Sequence, residues 1–390
     1  MLSNTTTLER TVPKPQPARV KAKPATTKPT VKLRMEVIEK WEDLAANTID
    51  AWRELTSNPM GSPDWLMPWW KHYGTEKDQL QLVCFFDRQE LVCVTPLYLE
   101  DGAHFKLLGS GKVCSEHAEL FITSESWQRP VSALLLEWLD SSDSPNWRSL
   151  QLEAIDALGA SSQLVGQWKD RVTVHQESGD FVCSIALPGS WDEYLSSLSK
   201  NHRKRVRRWV RQHLDTKQVE ARSTGTGWDL NEAFDCLVEL HNLRRKDMTE
   251  TGAFESPQFL EFHKEALNRL VPRGQATICG IFVDDKPVAI EYELSNEDTV
   301  FAYQSGADVD AGLSSPGSIS ILVRLKLAID CGKKTFDLMR GGEGYKQHWG
   351  AQLASSCNVM VWPNTSASTF SKCKFHLKRK LRALVKKVLR

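Results

Sequence analysis

No apolar run in the sequence approaches the ~20 residues that a membrane-spanning helix needs. No apolar stretch follows the first basic residue, so no secretory leader is expected. Nine cysteines are present, but they are scattered, odd in number and contain no CxxC pair. That excludes a disulfide or zinc framework and points to a reducing, cytoplasmic setting, with a peripheral position at the inner membrane face left open. Walker, GxSxG and HExxH patterns are all missing, so neither P-loop, serine-hydrolase nor zincin chemistry is expected. The ten histidines are dispersed, and no metal is expected. Residues 1–33 nearly lack large apolar groups and are rich in Pro, Thr and Lys, the composition of a disordered basic arm. Acidic residues are scarce at both ends. Residues 1–34 carry a net charge of +7 and residues 366–390 carry +9, against −15 for the stretch between. An acidic body is a poor general binder of nucleic acid, whereas basic ends suit tethering.

The chain has 390 residues, 41% hydrophobic and 25% charged, with 14 tryptophans. This is a globular balance, long enough for two domains. After the arm, 34–180 and 181–365 both read as α/β units, followed by a basic amphipathic tail helix over 366–390. In that tail Leu377, Leu381, Leu384, Val385 and Val388 lie opposite the lysines and arginines. Such a helix suits an anionic membrane surface or the protein's own acidic body. A helix is expected over 37–55 and a Trp-rich helix after Ser62 and Asp64. A hairpin is expected over 80–97, and strands at 181–186, 276–283, 287–294 and 299–304. A helix over 316–331 stopped by Gly332, a strand over 334–339 and a polar loop complete the pattern.

The segment 306–350 concentrates the chemistry. Ser315 stands as an N-cap, Pro316 at the first helical position and Gly317 where backbone can be approached closely. The N–H groups of Gly317, Ser318 and Ile319 are then expected to face an anion such as a pyrophosphate. Arg340, at a strand end before two glycines, can hold a phosphate or carboxylate. Glu343, Tyr345 and Lys346 follow in the loop. Upstream, alternation in VAIEYEL puts Ala289, Glu291 and Glu293 on one strand face, where a buried carboxyl needs a raised pKa or a partner. His241 sits on an amphipathic helix as an acid/base candidate. In NHRKRVRRWVRQ, Arg203, Arg207 and Arg211 form a basic stripe able to bind a phosphorylated or nucleotide-linked substrate.

Taken in order, GSPDWLMPWWKHYG (61–74), TPL (95–97), LLGSGKVCSEHAELFI (107–122), NHRKRVRRWVRQ (201–212), SSPGS (314–318) and FDLMRGGEGYKQHWG (336–350) resemble the CelD/BcsL-like acetyltransferases. These are GNAT-type proteins associated with cellulose and exopolysaccharide biosynthesis. The resemblance runs from about Trp41 to Trp362. The C-terminal part is similar to the FemABX peptidyltransferases, which end in a phrase comparable to Tyr345-Lys346-x-x-Trp349-Gly350. In the GNAT fold the helix after the fourth strand carries the coenzyme A pyrophosphate; here that start reads SSPGSI, and only its central glycine matches the superfamily signature. Glu116-His117 and Arg245-Lys246 also depart from the family's usual residues.

The resemblance implies tandem GNAT-like units, each a mixed central sheet flanked by helices, and acetyl-CoA as co-substrate. It implies direct attack on the thioester by an amine or hydroxyl of a sugar, lipid-linked or cell-envelope precursor. Lys346 is then the charged stabiliser, Tyr345 the proton donor to the leaving thiolate, Glu291 or Glu343 the general base, and Arg340 with the SSPGS start the coenzyme A site. Tyr303 and Gln304 are expected to line the acyl pocket, with His241, Arg203 and Arg207 toward the substrate. Two other functions fit the same residues: a FemABX-like transferase using aminoacyl-tRNA, and a non-catalytic GNAT-fold scaffold in envelope polysaccharide synthesis.

Overall fold

A computed structural model describes residues 33–111, 113, 116–247, 252–366, 368, 369, 372, 373 and 375–377. Apart from Leu33, the expected basic arm lies outside the described residues, as does the tail beyond Leu377. In chain order the strands are β1 (Leu33–Ile38), β2 (Gln79–Asp87), β3 (Glu90–Glu100), β4 (His104–Leu107), β5 (Ile122–Thr123), β6 (Ser149–Asp156), β7 (Val172–Ala186), β8 (Glu220–Ser223), β9 (Ala276–Val283), β10 (Lys286–Ser295), β11 (Thr299–Ala307), β12 (Thr335–Arg340) and β13 (Gln352–Pro363). The helices are α1 (Ala46–Leu55), α2 (Pro63–Tyr73), α3 (Glu125–Leu139), α4 (Ala160–Gly166), α5 (Trp191–Ser197), α6 (Lys200–Trp209), α7 (Leu230–Asp247), α8 (Pro257–Leu270), α9 (Pro316–Asp330) and α10 (Gly344–His348).

The sheet order is β1-β2-β3-β4-β6-β13-β7-β12-β11-β10-β9-β8, with β5 on β3. Each half repeats one pattern. Four antiparallel strands, β1–β4 or β8–β11, are followed by a parallel neighbour, β6 or β12. The last strand is exchanged: β13 lies beside β6, and β7 lies beside β12. The two exchanged strands also pair with each other from Gln352–Ser184 to Pro363–Val172, which joins the halves into one sheet. This mixed sheet flanked by helices is the fold class the sequence led us to expect.

Alternation decides which face each strand residue serves. Ile290, Tyr292, Leu294, Phe301 and Tyr303 pack in one core with α1, α2, α7 and α8. Ala289, Val300, Phe336 and Leu338 face the other way, under α5, α6 and α9. A third core fills the N-terminal half beneath α3 and α4. A register shift between β10 and β11 at Tyr292/Glu293 adds one residue to β11, so that Ala302 before it and Ala307 after it both face the α5–α6–α9 side.

Two local readings change. Residues 37 and 38, expected to open a helix, instead end the edge strand β1, which pairs with β2, and α-helix begins only at Ala46. The polar loop after β12 contains the short helix α10.

Candidate active site

The parallel pairing of β11 with β12 covers only Thr299–Phe301 against Thr335–Asp337. Beyond it the two strands part, and parting parallel strands leave a crevice for a ligand. A cleft of about 390 Å³ occupies this place, lined by residues of β10, β11, β12, α6 and α7 and by the starts of α9 and α10.

Glu291 enters the cleft from β10. Its side chain is 8% exposed, and among the described residues no cation lies within ion-pair distance. Burial pushes its carboxyl up to about 7, although the charge of Arg244 pulls the other way. A carboxyl titrating near neutrality can hold or release a proton during a reaction. Its neighbour Glu293 lies on the same face but is committed to a buried pair with Arg324, Nε to Oε1 2.8 Å. Arg244 reaches over from α7 and donates to Ser305 Oγ at 2.8 Å.

The α9 start differs in detail from expectation. Ser315 takes a left-handed conformation (φ 62°, ψ 55°), and its hydroxyl makes no cap bond. Pro316 disfavours the right-handed helical region at the residue before it, so Ser315 turns the other way. Its carbonyl then accepts from the N–H groups of Ser318 and Ile319, so these two amides, expected to face an anion, are bonded within the helix start instead. Gly317 remains the open position: a Cβ built there meets nothing within 4 Å. Ile319 is fully buried in the core, while Ser315, Gly317 and Ser318 line the cleft.

From α10, Tyr345 reaches the cleft and keeps 46% of its surface exposed. Burial, with Glu343 nearby, pushes its phenol above the ordinary value, so it carries its proton at neutral pH. Lys346 turns inward instead. Its Nζ is buried and donates to the carbonyls of Arg340 (2.6 Å) and Gly341 (3.3 Å), with Met339 at 3.5 Å and Glu343 at 3.0 Å. These carbonyls converge because Met339 (φ 58°) and Gly341 (φ 113°) both kink the chain.

The structure thus brings Glu291, Tyr345, Ser315, Gly317 and Ser318 together. Lys346 and Glu343 build the turn beside them. Arg340 points to a separate polar cavity, between Glu116 (3.1 Å) and Asp180 (3.6 Å). Tyr303 packs among Trp65, His263 and Tyr292, and Gln304 does not line the cleft. His241 is buried beneath β11 with Nδ1 3.0 Å from the Ser305 carbonyl, and burial lowers it to about 4. On α6 the cleft takes His202, Arg205 and Trp209, spaced i, i+3, i+7 on one helix face; Arg207 is on the exposed stripe, and Arg203 donates to the Ser196 carbonyl. Sequence reasoning therefore missed Arg205, Arg244, His202 and His348. The helical spacing of Arg205 with Trp209 was a usable signal; Arg244 had none, since its role depends on the close approach of α7 to β11. No group of three or more His, Cys, Asp or Glu is arranged to hold a metal ion among the described residues.

Residues 200–347, which supply the whole cleft except its rim at His348 and Trp349, match the profile of the acetyltransferase (GNAT) domain. No curated protein matches the sequence. Among solved structures the fold is similar to FemX, with a TM-score of 0.61 at 10% identity, over 82% of this chain and 96% of that one. A conserved protein of unknown function from Bacteroides thetaiotaomicron aligns with a TM-score of 0.50 at 12% identity, over 84% and 100% of the two chains. A tandem GNAT protein from the clavulanic acid biosynthesis pathway aligns with a TM-score of 0.46 at 12% identity, over 85% and 98%. The cleft-forming part of this chain is therefore similar to the GNAT acetyltransferase domain, set within a fold similar to that of FemX.

Proposed function

We propose that this protein is an acyltransferase that uses acetyl-CoA, or a related acyl thioester, to modify an amine or hydroxyl of a sugar or cell-envelope precursor. The observation that carries this reading is Glu291, a buried carboxyl near neutrality, in one cleft with the uncovered Gly317 at the start of α9. The donor fits the residues present. Gly317 leaves its backbone free to be approached, and Arg205 and Arg244 supply positive charge at the walls. Bound there, the donor supplies an activated acyl carbon and a thiol leaving group.

The chain's own residues then divide the work. Glu291 Oε takes the proton from the acceptor nitrogen or oxygen. Tyr345 Oη carries a proton in the same cleft and is suited to give it up. Lys346 holds the Met339–Gly341 turn that sets Tyr345 in place. Leu338, Phe336 and Ile321 supply an apolar lining that limits water. The resemblance to CelD/BcsL-like acetyltransferases supports an exopolysaccharide or envelope acceptor. The experiment is transfer from radiolabelled acetyl-CoA to a panel of amino sugars and polyols. Acceptor-dependent label transfer, lost in Glu291→Gln, is expected; transfer that persists unchanged in that variant removes Glu291 from the mechanism.

One feature favours a second reading, an aminoacyl-tRNA donor. Lys204, Arg207, Arg208 and Arg211 are exposed and make no salt bridge among the described residues. Binding of tRNA along that stripe would weaken steeply with salt, whereas binding of a thioester inside the cleft would weaken far less.

A further inference from the structure

The loop between β4 and β5 belongs to the N-terminal half, yet it reaches the point where β11 and β12 part. Phe301–Asp337 is the last registered pair before that parting, and His117 touches both members. Its ring lies 6.0 Å from the Phe301 ring, and its Nε2 is 2.9 Å from Asp337 Oδ2. The other oxygen of Asp337 accepts the Met339 N–H at 2.7 Å, at the residue whose positive φ kinks β12. Glu116 takes the next amide: its Oε2 accepts the Arg340 N–H at 2.9 Å while Oε1 meets Arg340 Nε at 3.1 Å. The loop is anchored at its own end as well. Asn58 donates to the carbonyls of Glu116 (3.2 Å) and His117 (3.4 Å), and Tyr303 Oη donates to the Val113 carbonyl.

Glu116 is 3% exposed and Asp337 4%. Buried polar groups of this kind fix geometry, because every alternative arrangement leaves one of them unpaired. The kink they fix is the one that gathers three carbonyls on Lys346 and sets the direction of α10. We infer that Glu116 and His117 are positioning residues, by which the N-terminal half holds the β11–β12 parting and the Met339 kink in the form the cleft requires. Their placement rests on geometry alone; their effect on turnover rests on the acyl-transfer reading of the cleft.

The test uses the full chain carrying His117→Phe, which keeps the ring against Phe301 and removes the bond to Asp337. His117→Gln, which retains a donor, is the conservative variant, and Glu116→Gln weakens the second contact. Hydrogen exchange is read by peptide across the sheet, together with the acetyl-CoA dissociation constant and turnover with an accepted amine or hydroxyl. In His117→Phe, protection of residues 338–346 is expected to fall by about tenfold while β2 and β9 keep theirs, as for a local opening. Turnover should fall by about tenfold with donor affinity changed less than about threefold, because a small misplacement acts on chemistry rather than on binding. His117→Gln should recover most of both. Unchanged protection at 338–346, or an equal loss across the whole sheet, overturns the inference. If wild-type protein neither binds acetyl-CoA nor releases its thiol, the acyl-transfer reading fails, and the exchange data still decide whether the clasp holds the kink.

Discussion

Replacing Glu291 with glutamine should stabilise the protein and silence it. The ordinary carboxyl value of 4.5 is carried to about 7 by burial, which corresponds to about 3 kcal/mol between the two protonation states. The folded state holds this proton more tightly than the unfolded chain does. Stability attributable to Glu291 therefore falls as pH rises from 4.5, and the loss is complete above about 7. Glutamine cannot ionise and escapes the penalty. Relative to wild type, Glu291→Gln should gain about 1 kcal/mol at pH 5 and about 3 kcal/mol at pH 8. With an unfolding entropy of about 2 cal/mol/K per residue, the gain at pH 8 raises Tm by roughly 4 °C. Scanning calorimetry at the two pH values measures the difference. Turnover of wild type should lose activity on the acid side with a midpoint near 7, and the variant should retain about 10⁻² to 10⁻⁴ of it. An equal Tm change at pH 5 and pH 8 would show that Glu291 is not held neutral by burial and would refute the reasoning.

Two further outcomes follow from the packing. Lys346→Met should lower stability by about 2–4 kcal/mol, measured by urea unfolding, because it strips the buried donor from the Met339–Gly341 carbonyls. Gly306→Ala should destabilise by more than about 2 kcal/mol, since a Cβ there collides with the backbone of Leu240 and His241 on α7.

The C-terminal strands and α9 were legible because their apolar runs are bounded by local signals, among them the proline start and the Gly332 stop (φ 72°) of α9. Residues 172–180 and 352–363 were not. VTVHQESGD has a polar middle that suggests a turn, and it is held as strand by β13, about 180 residues away; no local pattern reports a partner so distant. The same limit hid part of the site. Glu291 was visible as a carboxyl on an alternating strand, but the inward turn of Lys346 depends on left-handed backbone at Met339 and Gly341. Glu116-His117 stood out only as a departure from the family's usual residues, and its contact with Asp337 and Arg340 depends on how the two halves meet.

The central claim is that the cleft beside Gly317 receives an acyl thioester, and calorimetric titration of acetyl-CoA tests it most directly. Wild-type protein should bind one equivalent. Gly317→Val should keep the wild-type Tm within about 2 °C, because a Cβ there meets nothing within 4 Å, yet lose at least about tenfold in affinity by covering the approach to the helix start. No heat of binding at millimolar acetyl-CoA, or equal affinity in both proteins, would contradict the account.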